Sequence, residues 1–317
     1  MKKAARALMR ALRLGLKGTA LAQGTAPSAQ INNKKLAANF RKTLAAAERG
    51  EASAQNRLGV MYEKGWGVAQ DDAQAAAWYS KAADQGLAQA QFTLGFIYMT
   101  GRGVAQSDVQ AASWYRKAAE QGNIAAQYNL AAMYATDGRG IVRDDAQAAR
   151  WYRKAADQGF AYAQYDLGVM YRDGRGVARD AAQAVLWFRK AARQGNALAQ
   201  NDLGALYADG SGVLRDDAEA VAWFRKAAEQ GHAVAQTNLG EMYEEGKGVA
   251  QDDAQAVRWY REAADQGRVS AQFNLGTMYR DGRGVEQDDA QAIRWFHMAA
   301  DRGDVDAQEA LRRMERR

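Results

Sequence analysis

Acid–base or metal chemistry needs histidines, cysteines or grouped carboxylates, and this chain offers few of them. It has two histidines, His232 and His297, which lie far apart in the sequence, and no cysteine. Paired aspartates such as Asp71 and Asp72 recur, but an aspartate at the start of a helix is explained by capping and by the helix dipole. No nucleophile, base and orienting residue can be assembled. We therefore expect no enzymatic activity, no metal site and no cofactor.

Two glycine-containing motifs could also be taken for functional loops. The Gly-x-Gly pairs, such as Gly65 and Gly67, follow helical patterns rather than strands, which argues against a dinucleotide-binding loop. The Asp-Gly turns at Asp173, Asp209 and Asp281 lack the ligand spacing of a calcium loop. Both motifs are expected to end helices.

The most regular feature of the sequence is a recurring aromatic phrase, typified by WYRKAADQG at residues 151–159. Its tryptophan returns at steps of 36 or 37 residues, as Trp78, Trp114, Trp151, Trp187, Trp223, Trp259 and Trp295. A second phrase, typified by AQYDLGVMY at residues 163–171, keeps the same interval. A period in this range predicts a solenoid in which each unit mainly contacts its neighbours.

Each unit has the pattern of two helices. In the first helix, apolar residues such as Ala54, Leu58 and Met61 form one stripe at helical spacing. In the second, we expect the tryptophan to be the large core wedge and the paired alanines to allow close helix approach. A residue of capping type precedes each second helix: Asp71, Ser107, Asp144, Asp180, Asp216, Asp252 and Asp288. Since no alternation typical of strands is present, the fold class is all-α.

The repeated pattern A-x-x-x-L-G-x-x-Y-x-x-G-x-G-V-x-x-D-x-x-x-A-x-x-W-Y-x-K-A-A-x-x-G resembles the Sel1-like repeat family, a relative of the tetratricopeptide repeat. The resemblance covers residues 51 to the C-terminus. It implies a right-handed α/α superhelical solenoid of about seven 36-residue helix–turn–helix repeats, with the first helices on the concave face. It also implies a non-enzymatic adaptor that binds other proteins, often in bacteria. One disulfide-rich branch is linked to β-lactams, but this chain has no cysteine.

The predicted solenoid covers residues 35–317, with repeats that start near residues 52, 88, 124, 161, 197, 233 and 269. A helix at each end is expected to cap it, one over residues 35–50 and one over residues 305–317. Residues 1–34 are predicted to be a basic segment and a linker.

The positive charge is concentrated at the N-terminus. Residues 1–47 contain ten Lys or Arg and no acid, so the remainder of the chain has a net charge of −4. A slightly acidic solenoid argues against nucleic acid as a partner. The first segment has three interpretations: a cleaved signal peptide, a basic amphipathic helix that contacts a membrane surface through residues 1–17, or a disordered tail. Export favours the bacterial cell envelope or secretion; the cytoplasm is the alternative.

The candidate binding surface lies between the repeated letters of the first helices, because these positions vary while the scaffold letters do not. Aromatic and apolar residues in repeats two to four are expected to bind an apolar segment of a protein or peptide partner, and acids in repeat six to attract its basic end. The expected groove residues are Phe92, Phe96, Met99, Tyr128, Tyr162, Tyr165, Arg172, Glu241 and Glu244.

Alternatives remain open for this surface. Several of the rings could pack between neighbouring repeats, and the chain could be a glycan-binding module of the cell envelope or a structural spacer. A polar residue also precedes each first-helix leucine and either binds a peptide backbone or bridges helices: Arg57, Thr93, Asn129, Asp166, Asp202, Asn238 and Asn274. Neither the partner's identity nor an oligomeric state follows from the sequence.

Overall fold

The computed structural model describes residues 29–137 and 141–315, with only the backbone described for residues 29–34. Within these ranges the chain forms sixteen α-helices and no β-strand. The three interpretations of the basic segment, including the membrane contact through residues 1–17, concern residues outside the described ranges.

The helices alternate between two kinds. The first helices of the repeats are α2 (Ala52–Lys64), α4 (Ala88–Thr100), α6 (Ile124–Tyr134), α8 (Ala161–Asp173), α10 (Ala197–Asp209), α12 (Ala233–Glu245) and α14 (Val269–Asp281). The second helices are α3 (Asp72–Asp84), α5 (Asp108–Glu120), α7 (Asp145–Asp157), α9 (Ala181–Arg193), α11 (Asp217–Glu229), α13 (Asp253–Asp265) and α15 (Asp289–Ala300). The terminal helices are α1 (Ala29–Glu48) and α16 (Val305–Met314).

The predicted N-caps of the second helices are confirmed. Each has an extended backbone, and its side-chain oxygen accepts a hydrogen bond from the first turn. The Oδ1 atom of Asp71, for example, lies 2.9 Å from the backbone nitrogens of Ala73 and Gln74. These bonds satisfy donors that a helix start would otherwise leave unpaired, which is why the helices begin where they do.

The two turn glycines have different roles, as repeat six illustrates. Gly246 ends α12 in the left-handed conformation, with φ of 66°. Gly248 also has φ of 66°, and a Cβ added there would lie 2.1 Å from the carbonyl oxygen of Asp217. The turn therefore sits directly on the N-terminus of the preceding second helix, where a side chain would not fit.

The chain divides into two compact units, each of which stacks helix pairs in sequence order. Unit 1 runs through Ala163 and includes Arg175–Val177; unit 2 consists of Gln164–Gly174 and Ala178 onward. In each unit a helix packs against the next one along the chain. The predicted all-α solenoid of helix pairs is thus confirmed, and one continuous array over residues 35–317 stays a prediction.

The N-terminal helix begins earlier than the sequence predicts. Helix α1 starts at Ala29, inside the segment assigned to the linker, where Ala29 and Gln30 are good helix formers. The Nε2 atom of Gln55 donates to the carbonyl oxygen of Ala47 at the end of α1, at 3.1 Å. Since first helices elsewhere make the same bond to the preceding second helix, α1 occupies the place of a second helix before repeat one.

The predicted place of the tryptophan in the core is confirmed in four repeats, by Trp151, Trp187, Trp259 and Trp295, whereas Trp78, Trp114 and Trp223 are half-buried. The ring that follows the tryptophan is the more deeply buried: Tyr260 is 0% exposed and Trp259 is 6% exposed. Trp259 instead packs with Phe224 of α11 and Leu239 of α12, in the core formed by the preceding second helix and the adjoining first helix. The tryptophan therefore joins repeats, because its larger ring reaches beyond its own helix pair.

Candidate partner-binding surface

Two of the predicted groove rings pack against rings of the second helix in their own repeat. The ring centroids of Phe92 and Tyr115 are 5.8 Å apart, and those of Tyr165 and Phe188 are 5.6 Å apart. These are distances of favourable aromatic contact. Phe92 and Tyr165 are both half-buried, so each contributes to the core and exposes only part of its surface.

Tyr128 in repeat three lies in the core of unit 1. It is 2% exposed, and its ring centroid lies 5.6 Å from that of Tyr152 and 5.1 Å from that of Phe160. Phe160 in turn packs against Tyr162 at 5.7 Å. Phe160 directly precedes α8, at the position where Asn196 caps α10. This extra ring covers Tyr128, so Tyr128 does not face an open surface, while Tyr162 stays half-buried.

Met99 and Phe96, both on α4, differ in accessibility. Met99 is 5% exposed, and its sulfur lies 3.8 Å from the hydroxyl of the buried Tyr115. Phe96 is half-buried and keeps part of its ring at the surface. Within unit 1, Phe96 is therefore the better candidate for contact with a partner, and Met99 belongs to the core.

Arg172 and Tyr165 connect two first helices of unit 2. An Arg172 Nη1 atom donates to Asp202 Oδ2 at 3.0 Å, and the Tyr165 hydroxyl donates to the same oxygen at 3.3 Å. Arg172 also pairs with Asp173 at 2.8 Å, a bond that raises its pKa. Burial raises the pKa of Tyr165, so its hydroxyl stays protonated as a donor. Both predicted groove residues thus bridge α8 and α10.

The polar row before the leucines continues this bridging. Asn201 Nδ2 donates to Asp202 Oδ1 at 3.1 Å, and Asn238 Nδ2 on α12 donates to Asn201 Oδ1 at 3.1 Å. The first bond lies within α10, and the second connects α12 with α10. The geometry therefore favours the bridging interpretation of these positions over backbone binding.

Glu244 on α12 is held by two donors. The Tyr260 hydroxyl lies 2.6 Å from Glu244 Oε2, and Arg283 Nη1 lies 2.8 Å from Glu244 Oε1. Burial, together with the hydrogen bond to Glu244, raises the pKa of Tyr260. Arg283 belongs to the next repeat, so Glu244 has a structural role as a link between repeats.

Glu241 on the same helix keeps its side chain at the surface. Its carboxyl group is nonetheless partly enclosed, and this burial raises its pKa, as do the nearby charges of Glu245 and Glu244. The charge of Arg268 and a hydrogen bond with Asn274 lower the pKa and only partly oppose this effect. The carboxylate of Glu241 thus lies at the surface of α12, near the like charges of Glu245 and Glu244.

A buried glutamine network was not foreseen from the sequence. Gln200 is 5% exposed; its Nε2 donates to the carbonyl oxygen of Ala192 at 3.1 Å, and its Oε1 accepts from Gln230 at 2.7 Å. The buried glutamines of the first helices are Gln55, Gln91, Gln127, Gln164, Gln200, Gln236 and Gln272. The repeated Ala-Gln and Asp-Gln-Gly letters were the available signal, because an apolar stripe does not explain a glutamine that recurs at a fixed position.

The two histidines, which were the remaining candidates for chemistry, lie at separate positions in the fold. His232 caps α12, with its Nδ1 accepting from the backbone nitrogen of Ala235 at 3.2 Å, and His297 is exposed on α15. In the part of the chain that the structure describes, no three His, Cys, Asp or Glu side chains are grouped as metal ligands. Over residues 29–137 and 141–315, the helices also lack the length and apolar character of a membrane span.

Comparison with known proteins agrees with this architecture. The family model described as "Sel1 repeat" matches residues 52–87, 88–123, 124–160, 161–196, 197–232, 233–267 and 269–304. A solved structure of c5321, a protective antigen present in uropathogenic Escherichia coli strains and displaying an SLR fold, is 40% identical with a TM-score of 0.80. The match covers 86% of this chain but 58% of that one.

A Sel1 repeat protein from Oxalobacter formigenes is 34% identical with a TM-score of 0.72, over 99% of this chain and 88% of that one. No curated protein matches the chain significantly. Sel1 repeat proteins are generally scaffolds for protein–protein interaction and are typically not enzymes. With seven matched repeats that follow the observed helix pairs, the chain belongs to the Sel1 repeat family.

Proposed function

We propose that this chain is a non-enzymatic scaffold that binds a segment of a partner protein on the exposed face of its first helices. The observation that carries the proposal is the position two residues after each first-helix leucine. In every repeat except the third this residue is not buried, although the leucine before it is. Its type changes from Phe96 to Glu241 to Thr277. A fixed core with a variable surface suits a non-repetitive partner.

The chemistry of these positions indicates what each unit would bind. Phe96 in unit 1 offers an apolar contact. In unit 2, Glu241 is exposed on α12 and lies near the like charges of Glu245 and Glu244. A lysine or arginine from a partner would relieve this repulsion, and such complementarity raises association rates and specificity. The proposed partner therefore presents apolar side chains to α4 and basic side chains to α12.

The glycan-binding alternative has less support. Sugars stack on flat, accessible rings, whereas Phe92, Tyr128 and Tyr165 lie against other rings of the protein. Trp66 is 45% exposed, but it stands alone in the turn of repeat one. A protein segment makes better use of single, chemically different contact residues spread along first helices.

Site-specific photo-crosslinking tests the proposal. Benzoylphenylalanine replaces Phe96 or Glu241, and control positions are Leu186 and Glu229, which are exposed on second helices α9 and α11. Each variant is irradiated in lysate of the source organism. We expect protein adducts at positions 96 and 241 that are competed by the unmodified chain but not by a Phe96→Ala/Glu241→Gln variant. Equal adducts at the second-helix positions would move the site away from the first helices.

A further inference from the structure

The arginine between the two turn glycines reaches back to the preceding repeat. Arg283 lies between the paired glycines of repeat seven. Its Nη2 atom lies 3.1 Å from Asp253 Oδ1, at the first residue of α13, and its Nη1 lies 2.8 Å from Glu244 at the end of α12. One guanidinium thus joins the turn to both helices of the repeat before it, and we call this arrangement the arginine clamp.

The clamp recurs in unit 1. Arg102 Nη2 lies 2.7 Å from Asp72 Oδ1, and its Nη1 lies 3.4 Å from Glu63 Oε1. Arg175 Nη2 lies 3.0 Å from Asp145 Oδ1. In each case the acceptor is the first residue of a second helix. The clamp is therefore present at three junctions, whereas at the junction of repeats five and six Lys247 stands between the glycines and pairs with Glu245 at 2.6 Å.

The junction between repeats four and five lacks both partners of the clamp. Ala181 begins α9, where the other second helices begin with Asp, and Ser211 stands between the turn glycines, where Arg283 stands in repeat seven. Gly212 still approaches the backbone of Ala181, since an added Cβ would lie 2.4 Å from the Ala181 carbonyl carbon. The turn is in place, but Ser211 and Ala181 carry no charge and cannot form the ion pair of the clamp.

On the first-helix side this junction is connected. Arg172 and Tyr165 on α8 both bond to Asp202 on α10, at 3.0 and 3.3 Å. Beside the second helices, Trp223 of α11 packs against the core of α9 and α10, and Gln200 donates to the carbonyl oxygen of Ala192. The turn, which lacks the clamp, is therefore the least restrained part of this junction, and the junction bends most easily about the bonds to Asp202.

We propose that the junction between repeats four and five is a hinge within unit 2. It opens on the side of the turn and of helices α9 and α11, and it pivots about the bonds to Asp202. Because stability in a repeat protein depends on interactions between neighbouring repeats, this junction, which lacks both clamp residues, opens before the clamped junctions do. Bending here adjusts the angle between the fourth and fifth helix pairs when a partner binds.

Distance measurement between spin labels tests the hinge. The chain has no cysteine, so introduced pairs are unique. One pair is Arg193→Cys with Glu229→Cys, across the unclamped junction; the matched pair is Asp265→Cys with Asp301→Cys, across the clamped junction of repeats six and seven. All four residues are exposed. We expect a broader distance distribution for the first pair, and narrowing when Ala181→Asp and Ser211→Arg are added.

Hydrogen exchange is a second test of the hinge. The clamp variant Ala181→Asp/Ser211→Arg should slow exchange of amides in residues 209–216 by about two- to fivefold, the range of a partly exposed ion pair. Each single variant should slow amide exchange less than the double variant does, since the ion pair needs both partners. Arg283→Ser should speed exchange in residues 281–288. Equal label distributions at the two junctions, or a double variant that exchanges like the wild type, would overturn the hinge.

Discussion

The ring of Tyr260 lies directly on Gly240, so closely that a Cβ added to Gly240 would come within 2.6 Å of the ring. Five other repeats have the same ring-on-glycine contact. The third repeat has Ala131 at the equivalent position, and Ala131 is also buried. The two helices of a repeat are thus joined by an aromatic ring against bare backbone, which fixes how close they can approach.

Replacing Gly240 with alanine tests this contact, because helix propensity and contact with the ring predict opposite changes in the free energy of unfolding. Helix propensity alone would stabilise the helix by about 1 kcal/mol. The new methyl group would overlap the Tyr260 ring, and overpacking in a core costs about 1–3 kcal/mol. We expect a lower free energy of unfolding for Gly240→Ala, measured by urea denaturation monitored by circular dichroism.

A double variant separates the effect of helix propensity from the effect of overpacking against the Tyr260 ring. In a Tyr260→Leu background the ring is absent, so Gly240→Ala should become neutral or stabilising relative to Tyr260→Leu alone. Stabilisation by Gly240→Ala in the wild-type background would show that the ring does not restrict this position.

The glutamine network predicts a stabilising substitution at Arg302. Gln272 is fully buried, and its Oε1 has no hydrogen-bond partner. In repeat five the donor to the equivalent oxygen is Gln230, but repeat seven has Arg302 at that position, which donates to the carbonyl oxygen of Gly267 instead. Arg302→Gln supplies the donor, and we expect stabilisation by about 1 kcal/mol, read as a higher melting temperature.

The reverse exchange is the matched control. Gln230→Arg removes the donor to Gln200 and leaves a buried oxygen unpaired, which should cost about 1–3 kcal/mol. If Arg302→Gln and Gln230→Arg shift the melting temperature in the same direction, the network does not act as described.

Glu241 and Glu63 should respond to pH in opposite directions. The folded-state pKa of Glu241 is raised above its ordinary 4.5, so the folded protein binds this proton more tightly than the unfolded chain. The contribution of Glu241 to the free energy of unfolding therefore falls as pH rises from 4.5 through the raised pKa. At neutral pH the ionised side chain is unfavourable in the folded protein. Glu241→Gln should therefore stabilise by less than about 0.5 kcal/mol at pH 7, because solvent screens the charge, and should have no effect at pH 3.

Glu63 provides the contrasting case. Burial raises the pKa of Glu63, but hydrogen bonds from Lys64 and Tyr79 outweigh that effect and bring it below its ordinary 4.5. Its contribution is complete above 4.5 and is lost as pH falls through the lowered pKa. Glu63→Gln should cost about 1 kcal/mol at pH 7 and little at pH 3, by urea denaturation at both pH values. The same sign for both variants at pH 7 would contradict these environments.

Features that depend on local chemistry could be predicted from the sequence. The period of the repeats, the helix pairs and the seven N-caps follow from residue types only a few positions apart. The cap at Asp71 needs nothing beyond its own side chain and the next three residues. Such features do not depend on how neighbouring repeats meet.

Features that depend on neighbouring helices could not be predicted in the same way. Glu244 looks like a groove acid until Arg283, 39 residues later, is seen to bind it. Tyr128 looks exposed until Phe160, which directly precedes α8, is seen to cover it. Partners at such separations vary from one repeat to another, so the periodic pattern does not reveal them.

In unit 1, Tyr128 is a core ring and Phe96 is a surface ring, so their replacement by alanine should differ in cost. Tyr128 is 2% exposed and packs against two rings, so Tyr128→Ala should cost about 3–4 kcal/mol in the free energy of unfolding. Phe96 keeps part of its ring in solvent in the folded state, so Phe96→Ala loses less burial and should cost under about 1.5 kcal/mol. Urea denaturation of both variants gives the comparison.

Variants at the same two positions, Phe96→Ala and Tyr128→Leu, bear on function when adducts with the partner are measured together with stability. Phe96→Ala should weaken partner capture while the protein stays folded, because the lost contact lies on the exposed face. Tyr128→Leu, which keeps an apolar core residue, should leave capture unchanged. If Tyr128→Leu abolished capture without loss of stability, Tyr128 would be a contact residue that becomes accessible on binding, and the surface we assign to α4 would extend into repeat three.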